Sequence, residues 1–213
     1  MNLFKIVNLL LILSLSACST AYYGALDSIG IPKRDIMVHR VKAANETQHE
    51  TKEQIQTTLE QFTALTHFDG GDLEKNYKKL NASYKDSEAQ AKEIRKRIED
   101  IEDVSEALFS EWEAELESYS NASLKRNSAK QLADTRRQYK QLIRAMIKAE
   151  SKIEPVLSIF RDQVLYLKHN LNAQAISSLK GELNDINNDV QILVAEMEKS
   201  INEADAFIQS IEK

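Results

Sequence analysis

Residues 73–112, LEKNYKKLNASYKDSEAQAKEIRKRIEDIEDVSEALFSEW, carry an apolar, aromatic or small residue at alternating steps of four and three. These positions are Leu73, Tyr77, Leu80, Tyr84, Ser87, Ala91, Ile94, Ile98, Ile101, Ser105, Leu108 and Trp112. An average spacing of about 3.5 residues places these side chains on one seam of a helix and predicts left-handed supercoiling with its neighbours. This stretch therefore predicts one long helix that is packed along its whole length.

The same repeat recurs in three further stretches, Met37 to Leu65, Leu132 to Leu167 and Ile176 to Ile211. The 213 residues include 5 glycines and 2 prolines, and 29% are charged, which is typical of long helices. Short connections make neighbouring helices antiparallel. The fold class expected is all-α, an elongated antiparallel four-helix coiled-coil bundle. Its helices are predicted near 33–67, 71–119, 123–170 and 173–211.

Local signals place the ends of these helices. Pro32 suits a first helical turn, Asp72 is a suitable N-cap, and Asn170 suits a C-cap. Pro155 should kink the third helix, whereas Gly181 should lie inside the fourth at a small cost. Because the two middle helices are the longest, the hairpin that joins them at 120–123 should protrude beyond the other two.

The first residues resemble a bacterial lipoprotein signal. Lys5 precedes an apolar run over 6–15, and Leu15-Ser16-Ala17-Cys18 forms a lipobox. The run is too short to span a bilayer, and Cys18 is the only cysteine. The alternative is an ordinary cleaved signal peptide with a chance cysteine. We expect a signal peptide over 1–17, lipidation of Cys18 with acyl chains such as palmitate, a tether over 18–32 and a bundle over 33–213.

Charge is distributed unevenly along the middle hairpin. Residues 99–117 contain nine acids and no base, and residues 125–148 contain eight bases and only Asp134 as an acid. Each block lies at the end of its helix where it opposes the macrodipole. The two blocks should therefore face each other across the hairpin, or one of them could also bind a partner. The net charge of −5 argues against nucleic-acid binding.

Motifs for chemistry are weak or absent. Glu46-x-x-His49 has the spacing of a di-iron ligand pair, but the second such pair is missing from the sequence. Gln48 and Thr51 occupy seam positions, so a polar core layer is the favoured interpretation there. The acidic run lacks calcium-loop spacing, and neither a phosphate loop nor a catalytic triad is present. We expect that the protein is not an enzyme and that it binds neither a cofactor nor a metal.

Two apolar clusters deserve separate interpretations. Phe109, Trp112, Leu116 and Tyr119, with Leu124, gather at the hairpin tip, which we define as residues 109–124. They either continue the core or form a partner or membrane contact. Residues 164–171 are densely apolar as well, and they either lie buried beneath the helix connection or form a partner groove.

Several stretches resemble a known family of Gram-negative helical lipoproteins, domain-of-unknown-function family 2959. The matching stretches are 22–25, 31–35, 68–73, 119–124 and 162–173, the last of which reads DQVLYLKHNLNA and is the most specific. The resemblance covers nearly all of the chain after the signal peptide. It implies a shared fold and location, and it implies no activity and no catalytic residue.

These observations predict a lipid-anchored coiled-coil envelope protein with a structural or adaptor role. Ser19, directly after Cys18, favours the outer membrane, and the protein should face the periplasm. Its expected partners are the membrane, through the N-terminal lipid, and another envelope protein, with a homo-oligomer left open. The alternative is a membrane-surface module that senses or shapes the bilayer through the hairpin tip. A hydrolase or metalloenzyme is the remaining hypothesis.

Overall fold

The structure, a computed structural model, describes residues 22–68, 70 and 72–212. The expected signal peptide and Cys18 lie outside these residues. The described residues form helices and no strand, so the prediction of an all-α protein is confirmed. The elements are α1 (residues 22–28), α2 (Lys33–Thr66), α3 (Leu73–Leu116), α4 (Ala122–Glu150), α5 (Ile153–His169), α6 (Ala173–Lys180) and α7 (Leu183–Ile211).

The long helices form a four-cornered bundle. Helix α2 packs against α3 and α7, and α4 likewise packs against α3 and α7, so α2 and α4 lie at opposite corners. Helix α5 continues α4 and also contacts α3, and α6 precedes α7 and contacts α2. Every position of the four predicted seams is buried or half-buried. Phe62, Phe160 and Phe207 are among the largest fully buried side chains of this core.

Two of the predicted helices are interrupted. The third breaks at Ser151 and Lys152, because Pro155 lacks an amide hydrogen and its ring crowds the carbonyl four residues earlier, that of Ser151. Pro155 was predicted to kink the third helix, and the structure has instead two helices, which end at Glu150 and begin at Ile153. The fourth breaks at Gly181 and Glu182, whose amides donate to carbonyls three residues back at 3.3 and 3.2 Å. The expectation that Gly181 lies inside a continuous helix was wrong.

Several of the other helix ends lie at the capping residues that the sequence indicated. The Asp72 side chain accepts a hydrogen bond from the Lys75 amide at 2.9 Å, as predicted for an N-cap. Asn121 caps α4 by accepting from two amides, and Asn170 is the C-cap of α5. Pro32 lies at the N-cap of α2, one residue before the predicted position. Side-chain hydrogen bonds thus cap the starts of α3, α4 and α6, whereas α2, α5 and α7 begin without one.

The hairpin between α3 and α4 extends past the other helices. At the start of α2, Lys33 Nζ lies 2.5 Å from Glu111 Oε1, five residues before the end of α3. At the end of α7, the Ser210 hydroxyl donates to Gln138 Oε1 at 2.7 Å. Because α4 begins at Ala122, roughly 20 Å of it lies beyond α7 at a rise of about 1.5 Å per residue. The predicted protruding hairpin is confirmed.

Candidate interaction surfaces

The N-terminal segment is folded onto the bundle. Helix α1 ends in a Schellman turn, in which the Ile31 amide donates to the Leu26 carbonyl at 3.0 Å and the Gly30 amide to the Asp27 carbonyl at 2.9 Å. Gly30 has a φ of 82°, which a glycine adopts without strain. The described part of the predicted tether is therefore ordered by its own hydrogen bonds before α2 begins.

One buried tyrosine fastens this segment to α2 and α3. Tyr23 is fully buried, and its hydroxyl donates to Asp103 Oδ2 at 2.5 Å and accepts from Arg40 Nη1 at 2.6 Å. The Arg40 guanidinium also lies 5.4 Å from the centre of the Tyr23 ring and donates to the Asp100 carbonyl. We call Tyr23, Arg40 and Asp103 the N-terminal cluster. Burial, followed by the hydrogen bond to Asp103, raises the pKa of Tyr23 well above its ordinary value.

Beside this cluster, three large apolar side chains point away from the core. Tyr22 is 52% exposed, Ile29 is 70% exposed and Ile31 is 40% exposed. Tyr22 opens α1 and Ile29 directly follows its last residue, seven positions later. That spacing, close to two helical turns, brings the two side chains to the same side of this segment. We call Tyr22, Ile29 and Ile31 the N-terminal apolar patch. It was not identified from the sequence, because isoleucines in a short segment carry no periodic signal that separates exposure from burial.

The four residues predicted as a contact at the hairpin tip have different environments. Phe109 is buried beneath Arg136, and its ring stands edge-on to Tyr139 at 5.4 Å. Trp112 is half-buried and its indole N–H donates to the Ser128 hydroxyl at 2.8 Å. Leu116 is half-buried too, whereas Tyr119 is exposed. The inner part of the tip thus continues the core.

Beyond Leu116, the tip presents two exposed apolar side chains. Tyr119 is 40% exposed and Leu124 is 54% exposed, on either side of the turn. In the apolar stretch 164–171, Val164 and Leu167 are buried while Leu165 and Tyr166 are exposed. Each of these stretches therefore divides between core and surface, as an amphipathic helix requires.

Among the described residues, ion pairs between the acidic and the basic block lie near the turn. Arg136 pairs with Glu113, and Lys125 Nζ lies 3.0 Å from Glu117 Oε2. The acids deeper in α3 pair instead with α2. These pairs are Lys33 with Glu111 at 2.5 Å and Arg40 with Asp103 at 3.4 Å. The blocks were expected to face each other across the hairpin, and the ion pairs that join them in the described residues are these two near the turn.

Since α2 takes part of the acidic block, α4 keeps a row of bases on its surface. Six exposed bases recur at three-, four- and seven-residue steps along one side of α4: Arg126, Lys130, Arg137, Lys140, Arg144 and Lys148. We call this set the basic face. Arg137 pairs with Asp134 in its own helix, and Lys148 pairs with Glu196 of α7. In the ranges described, the other four lie within 4.0 Å of no carboxylate.

The Glu46 and His49 pair lies on the surface. Both side chains are exposed on the rim of a shallow groove between α2 and α7, where the Asn45 amide donates to Asp205 Oδ1 at 2.7 Å. No group of three or more His, Cys, Asp or Glu side chains able to hold a metal occurs among the described residues. Gln48 and Thr51 are buried in the seam, as the polar-layer interpretation requires.

No described helix combines the length and the apolar composition needed to cross a membrane. In comparison with known protein families, the model of a family described as a protein of unknown function, DUF2959, matches residues 22–211. The match begins at Tyr22 and so includes α1 together with the bundle. No curated protein and no solved structure matches the chain.

Proposed function

Because this chain belongs to the DUF2959 family, whose function is unknown, we propose its function from its own geometry: it is a lipid-anchored adaptor that presents the basic face to an acidic envelope protein. The lipobox ending at Cys18 supports the anchor. The helical bundle, packed along four seams of buried and half-buried side chains, supports a structural role. The outer membrane, with the protein facing the periplasm, is the proposed location.

The basic face is the observation that carries this proposal. It extends over about 33 Å of α4, from Arg126 to Lys148, at about 1.5 Å per residue. The chain as a whole has a net charge of −5, so this surface opposes the overall charge. Four of its six bases have no carboxylate within 4.0 Å among the described residues. Like charges in a row raise the electrostatic energy of the folded protein, and a partner with complementary carboxylates would lower it.

The position of the basic face relative to α1 supports the proposal that this face binds a protein rather than the bilayer. Helix α1 is fixed to α2 and α3 through the N-terminal cluster, and α4 lies at the corner opposite α2. An anchor attached just before α1 would hold the α2 and α3 side nearest the membrane. The basic face would then point largely away from the lipid, toward the periplasm.

Site-specific photo-crosslinking in intact cells tests the adaptor proposal. Gln141 is exposed and lies beside Lys140 and Arg144, and Gln191 is an exposed glutamine on α7 that serves as the matched control. A photoreactive residue at 141 should give a discrete adduct with an envelope protein, and one at 191 should not. The yield of the adduct should fall at high ionic strength, because the screening length between exposed charges shortens from about 8 Å at 0.15 M salt to about 3 Å at 1 M.

Charge reversal shows whether the adduct depends on the basic face. Lys140→Glu with Arg144→Glu should abolish it, whereas Lys168→Glu with Lys180→Glu changes the net charge equally at distant exposed sites and should not. Absence of any adduct from position 141 would refute the proposal. An adduct that survives the first double variant would show that the partner binds elsewhere.

A second candidate, a membrane-surface module, rests on Tyr119 and Leu124. Both are exposed at the turn, next to Lys125 and Arg126, and apolar tips flanked by bases suit an anionic bilayer. Flotation of the Cys18→Ser protein with vesicles of phosphatidylethanolamine and phosphatidylglycerol tests it. Tyr119→Ser with Leu124→Ser should abolish flotation if the tip binds lipid, and a wild-type tip that does not float would exclude this function.

A further inference from the structure

We infer that the N-terminal apolar patch rests on the phospholipid surface and fixes the orientation of the bundle on the membrane. The inference deepens the proposed function and rests on the lipid anchor at Cys18. It assigns a lipid contact to Tyr22, Ile29 and Ile31, none of which was predicted as a contact from the sequence.

Chain length limits how far the patch can lie from the bilayer. Three residues lie between Cys18 and Tyr22, so four Cα–Cα steps join the two. A fully extended chain spans at most about 3.6 Å per step, so the two Cα atoms lie within about 14 Å of each other. Ile29 follows Tyr22 by two helical turns, a further 10 Å or so at about 1.5 Å per residue. A lipid on Cys18 therefore keeps Tyr22 within about 14 Å and Ile29 within about 24 Å of the anchored residue, which is short enough for the patch to reach the interface.

The backbone around the N-terminal apolar patch is held in one conformation that keeps these side chains exposed. Gly30 and Ile31 close the Schellman turn, so the backbone on both sides of Ile29 is fixed by hydrogen bonds. Tyr23 is held between Arg40 and Asp103, which prevents α1 from rotating its exposed side toward the core. Ile29 has the highest exposure among the large apolar residues described, and no fold-based reason accounts for it.

The composition of the patch suits a phospholipid surface. A tyrosine places its ring at the level of the headgroups while its hydroxyl stays wet, and isoleucines favour the acyl boundary. Arg34, just beyond the patch, pairs with Asp35 at 3.2 Å while its side chain stays 61% exposed, so its guanidinium can also meet a phosphate group. Apolar side chains, an interfacial tyrosine and a nearby base are the chemistry of a peripheral lipid contact.

Fluorescence quenching by lipids brominated on their acyl chains tests the inference. Trp112 is the single tryptophan, so Ile29→Trp combined with Trp112→Phe places one probe in the patch. The matched control is Ile192→Trp with Trp112→Phe, because Ile192 is an isoleucine of α7 that is 45% exposed. The wild-type protein reports on the hairpin tip. Each lipidated protein is reconstituted in phosphatidylethanolamine and phosphatidylglycerol vesicles.

The probe at position 29 should lose at least half of its fluorescence to the brominated lipids, and the probe at 192 should lose almost none. Helicity is compared by circular dichroism. If Trp112→Phe lowers it, Trp112 is retained and the signal of residue 29 is taken as the difference from wild type. Tyr22→Trp supplies a second probe of the patch at a residue that is 52% exposed.

Each outcome decides a different point. A protein that floats with the vesicles while probes at 22 and 29 remain unquenched overturns the inference and leaves the lipid anchor intact. A protein that does not float overturns the anchor and, with it, the inference. Quenching of Trp112 in place of the patch also overturns the inference and favours the hairpin tip as the lipid contact.

Discussion

Replacing Tyr23 should release α1 from the bundle without unfolding α2 to α7. In Tyr23→Phe, the hydroxyl that donates to Asp103 and accepts from Arg40 is lost. Hydrogen bonds to charged groups contribute about 1.5–3 kcal/mol when both partners are shielded from water. The Arg40 and Asp103 side chains are 19% and 46% exposed, so water replaces part of the loss. We expect Tyr23→Phe to lower the free energy of unfolding by about 1–2 kcal/mol.

Tyr23→Ala removes the ring as well. Truncating a buried aromatic side chain costs about 3–5 kcal/mol when the surroundings stay in place. Here α1 can detach by itself, because a terminal helix opens at a lower free energy than the core. The decrease in the global free energy of unfolding should therefore be no larger than the free energy with which α1 docks onto the bundle. Tyr22→Ala is the matched control, because Tyr22 is 52% exposed, and it should be close to neutral.

Urea denaturation followed by circular dichroism measures the global stability, and hydrogen exchange with mass spectrometry measures α1. In Tyr23→Ala, the amides of Gly30 and Ile31 should lose protection while those of α3 keep theirs. Unchanged protection of residues 22–31 in Tyr23→Ala would refute the argument that the N-terminal cluster holds this segment.

The pH dependence gives an independent check on the N-terminal cluster. Burial and the bond to Asp103 raise the pKa of folded Tyr23 above its ordinary value of 10.0. Below pH 10 both the folded and the unfolded protein keep the proton, so the contribution of Tyr23 is fully present. As the pH rises above that value, the unfolded tyrosine ionises first and favours unfolding. The stability gap between wild type and Tyr23→Phe should therefore narrow above pH 10.

Three further predictions concern the core, the hairpin charges and the anchor. Ile98→Asp, at a position 7% exposed, should abolish cooperative thermal unfolding, and a melting temperature within a few degrees of wild type would refute its place in the seam. Arg136→Glu should lower the melting temperature at low salt more than at high salt, since Arg136 pairs with Glu113 and covers the Phe109 ring, whereas Arg144→Glu should not. Cys18→Ser should leave the protein unlipidated and absent from the outer-membrane fraction, and retained acyl label would contradict the lipobox.

Much of the fold could be predicted from the sequence because heptad periodicity is a local property. The seam residues of α3, such as Ile94, Ile98 and Ile101, are buried as their spacing requires. The Asp72 cap followed from a side chain that bonds to its own next turn. The break at Ser151 was harder to predict from the sequence. The steric effect of Pro155 acts four residues upstream, and the packing of neighbouring helices decides whether the helix bends or ends there.

The candidate surfaces were harder to predict, because the sequence of one helix does not specify which side chains of other helices lie beside it. The charge blocks of α3 and α4 are visible in the sequence, and the antiparallel hairpin suggested that they pair. Only the bundle shows that α2 also reaches the acids of α3, through Lys33 and Arg40. The bases left on α4 are therefore a property of the assembled bundle.

The sequence by itself determined the helical class, the four seams, the protruding hairpin and the family. Periodicity and capping act within a few residues of the chain, so they can be recognised without knowing which helices pack together. The tertiary structure alone decided that Tyr23 lies between Arg40 and Asp103, that Ile29 is left exposed, and that the basic face stays largely unpaired. Each of these depends on which side chains meet across helices, and a repeat that makes every seam alike does not specify which outer faces come together.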